Sequence, residues 1–137
     1  MVTPDLLTNI ANSAGLAVTL ESAAAALDGI DQGAILAEEQ QALTWELWDK
    51  QSPINGVPAE QLLARDDVPP GGAIYLIREK ATGNVLYFQP HLPGAAGIVA
   101  MDEATASTEA GSHVQAVAQT RADQRVLQEA LRKLGLA

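Results

Sequence analysis

The chain is 137 residues long, with 47% hydrophobic and 18% charged residues, no cysteine and a formal net charge of −9. This composition describes one domain able to bury a core without staples, and it excludes disulfides, thiolate metal sites and thiol nucleophiles. Residues 1–67 hold 11 acids against 2 bases and residues 68–137 hold 6 against 6, so the charge surplus lies in the first half, where it opposes nucleic acid and anionic lipid as partners.

In chain order, Thr3-Pro4-Asp5 is a helix start, with a hydroxyl cap, proline at the first helical position and an acid at the positive end of the dipole. Leu6, Leu7 and Ile10 continue it to a stop at Gly15. A second helix is predicted from about Leu20 through the alanine run 23–26 to Asp28-Gly29, with Thr19 as its cap. A third is predicted from Ala34 to about Leu43. Between 43 and 49, Leu43, Trp45 and Leu47 alternate with Thr44, Glu46 and Trp48, the period of a half-buried strand, in competition with a continued helix. Ser52-Pro53-Ile54-Asn55-Gly56 is turn chemistry, Pro58 opens a short helix over 59–64, and 66–72 is a loop.

The strongest predicted element is a hairpin over 73–90. Ala73-Ile74-Tyr75-Leu76-Ile77 and Val85-Leu86-Tyr87-Phe88-Gln89 are rich in β-branched and aromatic residues and flank Lys80-Ala81-Thr82-Gly83-Asn84. Both faces of both strands are apolar, so both need cover. Pro90 and Pro93 are expected to end the pairing, and Pro93-Gly94-Ala95-Ala96-Gly97 to be a turn. Asp102-Glu103 opens a short helix that Gly111 is expected to stop. Ser112 with Gln115 reads as a capping box for a last helix, 113–134, ended by Gly135. That helix carries the apolar stripe Leu127, Leu131 and Leu134 beside Ala130, and a separate basic face of Arg121, Arg125 and Arg132.

The expected fold is therefore α+β: a small antiparallel sheet built on the 73–90 hairpin, with a third strand at 43–49 and helices segregated around it. It is read as a single domain, 1–137, with a helical acidic part at 1–42, a sheet-containing middle at 43–92 and C-terminal helices at 102–134. The start of the chain shows neither a basic n-region nor an apolar h-region, and no apolar run approaches the roughly 18 residues of a membrane span. A cytoplasmic protein without a membrane partner is expected.

Reactive constellations are sparse. His91 and His113 are the only histidines, so a metal site would have to combine His91 with Asp102 and Glu103, at no recognisable ligand spacing. No metal or cofactor is implied. His91 reads instead as a cap at the hairpin exit, and His113 as a hydrogen-bonded, partly buried imidazole. Ser112 beside His113 is not a nucleophile–base pair, because adjacent helical residues do not face each other. Glu38-Glu39, Asp66-Asp67 and Asp102-Glu103 are sequence neighbours and not carboxylates held across a cleft. Neither glycine-rich stretch follows a strand and opens a helix with a phosphate-loop lysine. Trp48-Asp49-Lys50-Gln51-Ser52-Pro53-Ile54-Asn55-Gly56-Val57 resembles turns in small accessory proteins of phage-like elements and carries no catalytic group.

Two functions are expected from these readings. One is a non-catalytic protein-interaction or assembly module, an adaptor, inhibitor or phage-type accessory protein. It would form a homodimer and meet a basic protein partner through an acidic surface, with Glu38, Glu39, Trp45 and Trp48 at the contact. The alternative is a small-molecule-binding domain or small enzyme whose site lies between sheet and helices, lined by Tyr75, Tyr87 and His91. The basic face has a further reading, as the salt-bridging complement of acids in the same chain or a second copy.

Overall fold

The computed structural model describes residues 20–135; the expected helix at 3–15 and the Thr19 cap lie outside the described residues. The chain is α+β. Its described elements are α1 (Leu20–Leu27), α2 (Gln32–Ala42), β1 (Leu43–Leu47), α3 (Ala59–Leu63), β2 (Tyr75–Glu79), β3 (Val85–Gln89), β4 (His91–Gly94), β5 (Gly97–Ala100) and α4 (Glu103–Lys133). They divide between two compact units, one containing residues up to Gln40 together with Val117 onward, the other residues 41–116.

In the helical unit, the alanine run of α1 is stopped by Gly29, whose φ of 83° suits glycine. Asp31 caps α2 by accepting from the Ala34 N–H at 2.9 Å. Ala26 and Leu27 of α1 bury against Val126 and Ala130 of α4, with Ile30, Ile35, Leu127, Leu131 and Leu134 packed around them. The expected leucine stripe is thus the flank of the contact. The fully buried row is made of smaller side chains spaced by four, Ala118, Ala122, Val126 and Ala130. Lys133 Nζ donates to the Asp28 carbonyl at 2.7 Å, closing the α1 C-terminus with a cation.

The second unit is built on an antiparallel sheet of order β1-β2-β3. The alternation at Leu43, Trp45 and Leu47 is a strand, and it follows α2 without a loop. Trp45, Ile77 and Tyr87 lie opposite one another across the three strands, as do Glu46, Leu76 and Phe88 on the other face. That second face is covered by the 48–68 segment: Trp48, Ile54 and Leu62 bury with Ile74, Leu76 and Val85, and Trp48 meets Phe88 edge to face at 5.5 Å. The Asn55-Gly56 turn has positive φ at both central residues, 49° and 83°, and Ile54 and Val57 exchange backbone hydrogen bonds of 3.0 and 2.9 Å across it. This is the mirror-image turn that Asn-Gly favours. The Asn55 amide then pairs with the Val85 backbone, donating to its carbonyl at 2.7 Å and accepting from its N–H at 2.9 Å.

Two sequence expectations are corrected. Pro90 does end the pairing of β3, which stops at Gln89, but Pro93 does not end strand structure: β4 and β5 form a second antiparallel ribbon, with Gly94 opposite Gly97 and Pro93 opposite Ile98. The expected turn is present, and Ala95-Ala96 is its two-residue tip. A two-residue loop is closed by a hydrogen-bonded pair and opposed pairs alternate, so Pro93 falls where its missing N–H would point away from β5. Gly94 is required for space, since a Cβ there would lie 2.3 Å from Val99 Cγ2.

The second correction concerns Gly111 and Ser112, which lie inside one continuous 31-residue helix, not at a break between two. Asp102 caps it through the Thr105 N–H at 2.7 Å, and Gly135 ends it with φ of 73°. An interior glycine costs about 1 kcal/mol relative to alanine. Burial of Ala106, Ala110 and Val114 on the same helix outweighs that penalty. A Cβ at Gly111 would meet no atom within 4 Å. Gly111→Ala is therefore expected to stabilise the fold by about 0.5–1 kcal/mol in denaturant melts. A loss of stability would mean that the helix is broken at this residue.

Candidate functional site

The face of the three-stranded sheet that carries Tyr75 and Ile77 holds the only aromatic–histidine cluster among the described residues. Ile77 and Tyr75, on the central strand, are buried, whereas Trp45, Leu47 and Tyr87, on the outer strands, are 37%, 37% and 46% exposed. Helix α4 supplies His113, whose Nδ1 lies 2.8 Å from the Tyr75 hydroxyl in a hydrogen bond. The imidazole meets the Tyr75 ring edge to face at 5.8 Å and the Tyr87 ring at 4.7 Å. Tyr75 and Tyr87 are thus brought together, but around His113. His91 stands in β4, in the other sheet, with its Nδ1 buried and unpaired and its carbonyl accepting from Gln89 Nε2 at 2.9 Å.

Burial pushes the His113 imidazole below its ordinary value, with Glu109 opposing the shift. Burial, followed by Glu109, pushes the Tyr75 hydroxyl up. Both shifts favour the neutral pair. For His113 the unfolded chain binds the proton more readily than the folded one. Its contribution to stability is therefore complete above about pH 6.5 and is lost as the pH falls from there toward the lowered folded value. For Tyr75 the loss comes as the pH rises above about 10. The stability difference between the wild type and His113→Gln should be constant at neutral pH and narrow on acidification, as read from urea melts. A difference that widened would reverse the sign of this assignment.

The two tryptophans of the expected partner contact are separated by the pleat. Trp45 stands on the His113 side of the sheet, whereas Trp48 is buried in the opposite core, its Nε1 donating to the Ser52 carbonyl at 3.0 Å. Glu38 and Glu39, the other two residues of that contact, are engaged within the helical unit. Arg121 Nε donates to Glu39 at 2.8 Å, and Arg125 donates to Glu39 at 3.2 Å and to Glu38 at 2.9 Å. These bonds, the one to Glu38 most of all, hold the Arg125 guanidinium above its ordinary value. An open groove of about 860 Å³ runs beside them, lined by Gln124, Leu127, Gln128, Glu129 and Arg132. Arg132 itself pairs with Glu129.

A shallow cleft of about 280 Å³ lies between Leu47, Trp48, Ile74 and Met101, with Lys50, Asp102 and Glu103 at its rim. Lys50 donates across it to the Gly72 carbonyl at 2.5 Å. Among the described residues no three His, Asp or Glu side chains converge to hold a metal ion. None of the described helices is long and apolar enough to cross a membrane. In comparisons with known proteins, no family model, no curated protein and no solved structure matches the chain.

Proposed function

We propose that the chain is a non-catalytic protein-interaction module, working in the cytoplasm and meeting a basic protein partner. The observation that carries this reading is the exposure of Trp45 and Leu47 on β1, the outer strand of the sheet. A tryptophan held on a rigid strand with more than a third of its surface open is the kind of anchor that dominates interfaces. Glu46, between them in sequence, stands on the other face of the sheet and pairs with Arg78 at 2.7 Å, while the first half of the chain carries the whole net negative charge. That field attracts a basic partner and raises its association rate, an effect that fades as the Debye length falls from about 10 Å at 0.1 M salt to about 3 Å at 1 M.

The test compares capture from native lysate by wild type, Trp45→Ala and Leu47→Ala, each shown to melt like the wild type. The expected result is a stoichiometric partner whose retention falls with either substitution and whose association rate falls with added salt. Retention unchanged by both substitutions would overturn the reading. So would stabilisation of the free chain by a member of a metal and metabolite panel, because a ligand at a hundredfold its Kd adds about 2.7 kcal/mol.

A further inference from the structure

From Ala81 to Met101 the sequence contains no Asp, Glu, Lys or Arg, in a chain whose net charge is −9. This stretch forms β3 and the β4–β5 ribbon, and every residue of β5 is exposed, with Ile98 and Val99 both at 47%. The four outer edges of the two sheets differ. On β1 the edge carries Glu46. On β3 it is plugged at Val85 by the Asn55 amide. On β4 it contains Pro93, which has no N–H to offer. Only the β5 edge has no charge, no proline and, among the described residues, no partner. Uncovered edges of that kind are templates for strand addition, and proteins ordinarily block them.

We infer that β5 is a self-pairing edge, through which two copies of this chain join antiparallel to convert two ribbons into one four-stranded sheet. The occupant follows from charge. A basic partner is drawn to carboxylates, and the ribbon has none. A second copy repeats the net charge of −9, so two copies meet with least repulsion where both are uncharged. The register also follows. With Gly97 and Val99 bonded toward β4, the N–H and C=O groups of Ile98 and Ala100 point outward. All of these outward groups are satisfied when Ile98 of each copy pairs with Ala100 of the other, which places Val99 opposite its own symmetry mate. The assembly closes on a two-fold axis and leaves no free β5 edge. It also cures a local weakness, because a two-stranded ribbon is only marginally stable alone. This contact is separate from the Trp45 surface and does not depend on it.

Sedimentation velocity over a concentration series tests the inference on the purified full chain. The wild type should dimerise. Val99→Lys, which sets two ammonium groups opposite each other, and Ile98→Pro, which removes an outward N–H not used within the ribbon, should both lose the dimer while melting as the monomer does. The chain has no cysteine, so Val99→Cys should form a disulfide-linked dimer on mild oxidation, whereas Val57→Cys, at another exposed apolar position, should not. A wild type that stays monomeric throughout would overturn the inference, as would a dimer that survives both Val99→Lys and Ile98→Pro. Should Val99→Lys fail to fold, Ile98→Pro and the cysteine pair decide. Loss of partner capture in Trp45→Ala with the dimer intact separates this contact from the proposed function.

Discussion

Leu76→Ala and Ile77→Ala should each cost about 2–5 kcal/mol, the combined loss of transfer free energy and of packing around the cavity left behind. These two residues sit on opposite faces of the central strand, and both are essentially inaccessible to solvent. Leu76 closes the core of Trp48, Ile54, Leu62, Ile74 and Val85. Ile77 lies between Trp45 and Tyr87 on the face that carries His113. Leu86, on β3, is only half-buried, and Leu86→Ala should cost less than either. Denaturant melts of the three variants rank them. An equal or larger loss at Leu86 would move the stability centre from β2 to the outer strand.

That ranking marks where sequence reading reached and where it stopped. The hairpin was legible because Tyr75, Leu76, Ile77, Tyr87 and Phe88 concentrate strand-forming side chains on both sides of a turn, a strong local signal. Which of its strands is central was not legible, because that depends on β1 pairing with β2, between residues far apart in the sequence such as Leu43 and Glu79. The β4–β5 ribbon was hidden by Pro90 and Pro93. Proline does argue against a central strand, but it is tolerated where the N–H points outward, and only the register shows that Pro93 does so. Gly111 misled for a similar reason. Its local penalty is real, and it is outweighed by burial of alanines and valine whose neighbours are distant in sequence. At the candidate site, Tyr75 and His113 are 38 residues apart. No spacing rule relates two such residues, so His91, nearer in sequence to Tyr87, was the available companion.

The acidic pair poses a sharper question, because Glu38 and Glu39 differ in burial although they are adjacent. Glu39 is 7% exposed and is held by two guanidinium groups, while the Glu38 side chain is largely open to water. Arg121 and Arg125 are themselves only partly covered. Removing Glu39 therefore leaves cations that water can reach, whereas removing Arg121 leaves a buried carboxylate with its weaker partner alone. Burying an under-compensated charge is the more costly of the two. Arg121→Ala should accordingly destabilise the fold by about 1–3 kcal/mol, with the value held down by solvent screening at the exposed guanidinium. Glu39→Ala should cost less, and Glu38→Ala less than about 0.5 kcal/mol. A double-mutant cycle between Glu39 and Arg121 should return a coupling of about 1 kcal/mol. Reversal to Glu39→Arg should be far more damaging than Glu39→Ala, and combination with Arg121→Glu should recover part of the loss. If Glu39 instead faced a partner and owed nothing to these arginines, the cycle would return zero and the double reversal would recover nothing. A measurable coupling assigns Glu39 to the assembly of the helical unit and leaves the attraction of a basic partner to the remaining carboxylates of the first half.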